Sequence, residues 1–157
     1  MKKLIFSSLF LCFFSMSCAS AQNVESLFDT FKDAKNVTYV NVPKAMIGMA
    51  MKATKDKTAT LVLSKIDHVS ILDLDEAEAK DRNRFLEMVK KMPFKGYETM
   101  VSNNDGNDKT RILVKATDEA IHEVVIINTD NDQCTLVCVK GNFKPADIEA
   151  LTNQVQH

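Results

Sequence analysis

The sequence predicts a single α+β domain, a mainly antiparallel β-sheet with helices packed on one face. Three observations carry that expectation. Apolar residues recur at helical spacing in several segments before Pro93, the pattern turns to period two between Tyr97 and Lys140, and no Pro/Gly/Ser-rich linker or repeat divides residues 22–157.

The first helix is set by Val24, Leu27, Phe28 and Phe31 at i, i+3, i+4 and i+7, with Asn23 in front as an N-cap. Val37 to Val42 is β-rich and ends at Pro43, after which Ala45, Met46, Met49, Ala50 and Ala53 line one helical face. That face is expected to be core, with Met46 and Met49 as fillers and Met51 on the other side. After the polar break Lys55-Asp56-Lys57, the spacing of Ala59, Val62, Leu63 and Ile66 predicts a short helix over residues 58–66.

His68 to Leu74 alternates as a strand. Asp75 with Glu78 resembles a capping box for a helix through Phe85, Leu86, Val89 and Met92, closed by Pro93 and Gly96. Four strands follow at Tyr97–Ser102, Thr110–Ala116, Ala120–Asn128 and Gln133–Lys140, joined by turn residues at Asn104-Asp105-Gly106-Asn107 and Asp130-Asn131-Asp132. They should form a meander, and because Val124 to Ile127 is apolar on both faces, that strand should be central or covered twice. A last helix starts at Pro145, with Phe143 and Ile148 as a staple and Ile148, Leu151 and Val155 as its apolar face.

The N-terminus follows the plan of a secretory signal: Lys2 and Lys3, then an apolar run from Leu4 to Phe14, then Ala19-Ser20-Ala21. Residues 1–21 are expected to be removed by cleavage between Ala21 and Gln22, leaving residues 22–157 as one domain in the periplasm. A competing reading acylates Cys18 and makes a membrane-anchored lipoprotein, although Ser15 stands where such signals usually carry an aliphatic residue. No other segment is long and apolar enough to cross a bilayer.

The whole chain of 157 residues carries 20 basic and 21 acidic side chains. The leader holds two of the bases and no acid, so the remainder has a net charge of −3. That balance removes the usual support for nucleic-acid binding or a polybasic membrane function. Cys12 and Cys18 leave with the signal. Cys134 and Cys138 remain, and on one strand their Cα atoms stand roughly 13 Å apart, at about 3.3 Å per residue, beyond disulfide reach. Both should be buried thiols sharing a face with Leu136.

No constellation points to catalysis. His122-Glu123-Val124-Val125-Ile126 begins like a zinc-protease helix but has Ile126 where the second histidine belongs. His68 follows Asp67, yet neighbours on a strand point to opposite faces, so His68 reads as solvated or locally hydrogen-bonded. Met46, Met49, Cys134 and Cys138 are the candidate soft ligands, suited to Cu(I), but helical core packing explains the methionines as well. The acidic turns at residues 103–108 and 128–132 lack the register of a calcium loop. There is no Ser nucleophile in an elbow sequence, no Gly-rich phosphate loop and no Cys/His pair with an orienting Asn. No cofactor is implied.

The order of segments nevertheless carries a resemblance. Val40-Asn-Val-Pro-Lys-Ala-Met46, Lys65-Ile-Asp, a Phe85-Leu86 helix leading to Gly96-Tyr97-Glu98, Ile121 to Ile127, and Leu136-Val-Cys-Val-Lys-Gly-Asn142 together resemble the domain of unknown function 4252 family over nearly all of residues 22–157. The resemblance implies a small exported protein of Bacteroidota with an envelope-stress or regulatory role, and it supplies no catalytic or binding residues to carry over. The expectation is an exported, non-catalytic envelope protein that engages another protein, with a periplasmic small-ligand or metal-binding protein as the alternative.

Overall fold

A computed structural model describes residues 23–105, 108–130, 133–144 and 146–147. The expected signal segment, Cys18, the Ala21–Gln22 junction and most of the expected last helix lie outside the described residues. In chain order the elements are α1 (Val24–Phe31), β1 (Thr38–Pro43), α2 (Lys44–Ala53), α3 (Lys57–Lys65), β2 (Ile66–Asp73), α4 (Ala79–Lys91), β3 (Glu98–Asp105), β4 (Asp108–Ala116), β5 (Ile121–Thr129) and β6 (Cys134–Phe143). The six strands form one sheet in the order β1-β2-β6-β5-β4-β3, and every neighbouring pair is antiparallel. The predicted α+β architecture is what the chain adopts, and β5 is central as its two-sided apolar run requires.

The register assigns each face its chemistry. On the first face, Tyr39, Leu72, Leu136, Ile127, Arg111 and Ser102 stand opposite one another in turn across all six strands. Leu72, Leu136 and Ile127 are buried beneath α1 and α4, together with Val125, Leu113, Cys134 and Cys138. The helices contribute Val24, Leu27, Phe28 and Phe31 from α1 and Phe85 and Val89 from α4. Phe31 meets Phe85 edge-on at 5.6 Å, the geometry that sets the positive rim of one ring against the face of the other. Asn23 caps α1 as expected, its Oδ1 accepting from Ser26 N at 3.0 Å.

On the second face the corresponding row is Val40, Ile71, Val137, Ile126, Ile112 and Val101. A parallel row runs through Val42, Val69, Val139, Val124 and Val114. A third is polar: Thr38, Asp73, Thr135, Asn128, Thr110 and Asn103. The third row is tied internally where Thr110 donates to Asn128 Oδ1 at 2.9 Å.

Two local expectations are corrected. Met46 and Met49 do not face the core. They are 50% and 63% exposed, whereas Ile47 is buried and Met51 half-buried. Strand β1 passes into α2 with no connecting residue, Pro43 serving as both strand end and N-cap position. The helix therefore has no loop in which to rotate, and the phase set by β1 turns the Ile47/Met51 stripe inward although the wider apolar arc lies opposite.

Asp75 and Glu78 form no capping box either. Glu78 stands at the N-cap of α4 without a side-chain hydrogen bond. The Asp75 carboxylate instead accepts from Cys134 N at 2.7 Å, linking the start of α4 to the first residue of β6. A long-range backbone N–H left without a sheet partner is a stronger claimant for that carboxylate than the first turn of a helix. In contrast, α3 is capped from within the polar break that precedes it: Asp56 accepts from Thr58 N at 2.7 Å and Ala59 N at 3.2 Å.

Candidate functional site

Two places on the first face gather polar side chains. The first is at the end of the sheet where His68, Lys140, Glu123 and Lys115 stand opposite one another across β2, β6, β5 and β4. Glu123 is buried at 8% exposure and lies next to the core. A carboxyl there must be satisfied by donors, because leaving it unpaired costs several kcal/mol (roughly 1–3 for an ordinary polar group, more for a charge). Tyr97 Oη donates to Glu123 Oε1 at 2.8 Å, and Cys138 Sγ donates to the same oxygen at 3.1 Å. Lys140 is bound to Glu25 of α1, and Lys115 Nζ stands 5.8 Å from the centre of the Tyr97 ring.

Burial, followed by the hydrogen bond to Glu123, pushes the Tyr97 hydroxyl well above its ordinary range and the Cys138 thiol likewise. Both remain donors at neutral pH. Burial also pushes the Cys134 thiol up to about 12. A thiol attacks as the thiolate, and burial keeps both side chains in the less nucleophilic thiol form.

The four candidate soft ligands are not brought together. Cys134 and Cys138 are free thiols inside the core, whereas Met46 and Met49 are exposed on α2. Among the described residues no three His, Cys, Asp or Glu side chains converge as a metal site. His68 is locally bonded, its Nε2 lying 2.9 Å from Ser70 Oγ, and Asp67 turns away to pair with Lys44. In the second acidic turn, Asp130 Oδ1 accepts from Gln133 N, which is turn chemistry. Gly106, Asn107, Asn131 and Asp132 lie outside the described residues.

The second place is open. The α1/α4 layer covers β2, β6, β5 and part of β4, and where it ends a cleft of about 480 Å³ lies between the C-terminal half of α4 and strands β3 to β5. Its floor includes Ile127, its polar groups include Ser102 and Thr129, and its cations are Lys90, Lys109 and Arg111. Leu86, expected to be core, lines this cleft instead and is 37% exposed. The single acid on the wall, Glu87, is paired with Lys91 at 3.1 Å. Arg111 is held by the Phe94 ring, with 5.6 Å from guanidinium carbon to ring centre. Sequence reasoning did not find the cleft, because its cations come from α4 and β4 and no spacing along the chain connects them.

Among the described residues no helix is long and apolar enough to cross a membrane. A family model described as Domain of unknown function (DUF4252) matches residues 31–151 of the chain. No curated protein and no solved structure matches it.

Proposed function

The chain belongs to the DUF4252 family, and on that footing we propose that it is an exported, non-catalytic envelope protein working as a protein-interaction or regulatory module. The observation that carries the reading is the aliphatic row across the second face of the sheet. Val40 and Val101 end that row at the two edge strands with 40% and 46% exposure, and Ile71, Val137, Ile126 and Ile112 between them are only half-buried. A β-branched surface of this extent with no charge in its row is the composition of the centre of a protein contact. The signal-like leader supports export to the periplasm, with acylation at Cys18 as the other route to the envelope. The locked hydroxyl and thiols on the first face support a non-catalytic role.

The test is crosslinked capture from envelope fractions with the wild-type chain and with Val40→Asp/Val101→Asp. Both sites are exposed, so the variant should fold. Specific capture that falls at least tenfold in the variant is expected, in line with roughly 1.4 kcal/mol per decade of affinity. Capture of nothing specific, or capture indifferent to the two aspartates, would overturn the reading.

The cleft favours a second reading, a binding site for a small anionic ligand. Three cations against one already paired acid provide the field, and Ser102 and Thr129 provide hydroxyl donors. Titration calorimetry with small phosphates and carboxylates should then show heats that Arg111→Ala abolishes. No heats from either class would remove this reading.

A further inference from the structure

The segment from Lys44 to Lys65 contains five lysines and one acid, in a chain whose overall charge is −1. Composition averaged over the whole chain conceals that segregation. The fold then places it. Helices α2 and α3 pack on each other and contact β1, β2 and β6, with Ile47 and Val62 as their buried anchors. At 100° per residue, Met46, Met49 and Ala53 fall on the side of α2 away from Ile47 and Met51, and all three are exposed.

Leu61 on α3 is likewise 55% exposed. Lys44 is held by Asp67 and Lys65 faces Asp147. Lys52, Lys55 and Lys57 make no ion pair among the described residues, and the one acid, Asp56, is occupied in capping α3. An apolar arc of flexible side chains bordered by unpaired lysines is the composition of an interfacial helix, whose apolar face enters the acyl boundary while ammonium groups meet headgroups.

We propose that the α2–α3 hairpin docks on an anionic bilayer surface, with Met46, Met49 and Leu61 entering the interface and Lys52, Lys55 and Lys57 binding lipid phosphates. Charge selects this occupant over a second copy of the chain, because a two-fold contact through the same patch would bring two positive patches together. The surface differs from the sheet face proposed for a protein partner, so the two readings stand or fall separately.

The test is sedimentation with vesicles, using the full chain as processed by its own cell so that any contribution of the N-terminal segment is common to all variants. Vesicles of phosphatidylcholine with about 30 mol% phosphatidylglycerol should bind the protein more tightly than phosphatidylcholine alone, and raising salt should shrink that difference. Lys52→Gln/Lys55→Gln/Lys57→Gln should weaken binding about a hundredfold, at about fivefold per surface lysine. Met46→Glu/Met49→Glu should weaken it at least about tenfold without lowering the melting temperature, because both side chains are solvated. Absence of binding would overturn the proposal, as would equal binding to neutral vesicles or binding untouched by either variant. A dimer in analytical ultracentrifugation that Met46→Glu/Met49→Glu dissociates, without vesicle binding, would identify the face as a self-contact and also overturn it.

Discussion

Gly141 lies against the Lys65 carbonyl so closely that a Cβ at position 141 would sit 2.2 Å from that oxygen. The same Cβ would meet the Phe143 ring at 2.8 Å. Lys65 ends α3 and Ile66 begins β2 directly, with Ile66 opposite Gly141 at a register shift in the β2–β6 ladder. The glycine is therefore where the helix-to-strand junction and the last part of β6 are allowed to touch.

Gly141→Ala should be strongly destabilising for that reason. Backbone cannot yield as a side-chain tip can, and overpacking typically costs about 1–3 kcal/mol, with this contact at or above the upper end. A fall in melting temperature of roughly 5–10 °C is expected by scanning calorimetry. A variant that melts with the wild type would mean that the α3–β2 junction moves freely.

Tyr97→Phe tests the buried cluster. It removes one of the two donors to Glu123 while leaving the ring beside Phe94, whose centroid is 6.5 Å away. Loss of about 1–3 kcal/mol is expected from urea unfolding at neutral pH. A double variant Tyr97→Phe/Glu123→Gln should not cost the sum of the two single changes, since both act on one network.

The thiols give a chemical readout. Cys134 and Cys138 are 4% and 3% exposed and both are held neutral by burial. Neither should react with a thiol reagent in the native state at pH 8, and both should react once the domain is unfolded in denaturant. Each thiol titrates near 9.0 when free of this burial and higher when folded, so the unfolded chain releases its protons first. Stability should fall as pH rises above about 9, and replacing both by alanine should flatten that alkaline slope.

Glu25 and Lys140 join α1 to β6. The hydrogen bond and charge of Lys140 hold Glu25 below its ordinary 4.5, and Glu25 in turn raises Lys140 above 10.5. The contribution of Glu25 is present above pH 4.5 and is lost as pH falls through that value and below. That of Lys140 is present below pH 10.5 and is lost as pH rises past it. The side chains are 62% and 37% exposed, so Glu25→Gln should cost no more than about 1 kcal/mol at pH 7 and less in high salt. Urea midpoints measured from pH 7 to pH 3 should converge for the two proteins at the acid end.

What the sequence reveals and conceals divides along physical lines. Helix α1 was legible to the residue because its cap and its four apolar positions are local. The meander β3 to β6 was legible because consecutive antiparallel strands leave period two and turn residues in the chain. Helix α2 was misread because both of its arcs are apolar, and the choice between them is made by the strand that feeds it. Asp75 was misread because its acceptor is wanted by Cys134, far away in sequence. Glu123 passed as an ordinary strand residue, since only the neighbouring strand and Tyr97 show that it is buried and bonded. The cleft, built from α4 and three strands, left no trace that spacing could detect.

The pairing of β2 with β6 has a consequence for the order in which the molecule can be completed. Synthesis runs from the N-terminus, so Phe31, Leu72 and Phe85 emerge well before Leu136, the side chain opposite Leu72. Until β6 arrives, the β1–β2 ribbon has no sheet to join, and a two-stranded ribbon alone is marginal in water. The β1–β2 ribbon and the β3–β5 meander are thus joined only through β6. One late insertion, β6 between β2 and β5, then unites the two halves, and closure of so long a loop should set the pace of folding.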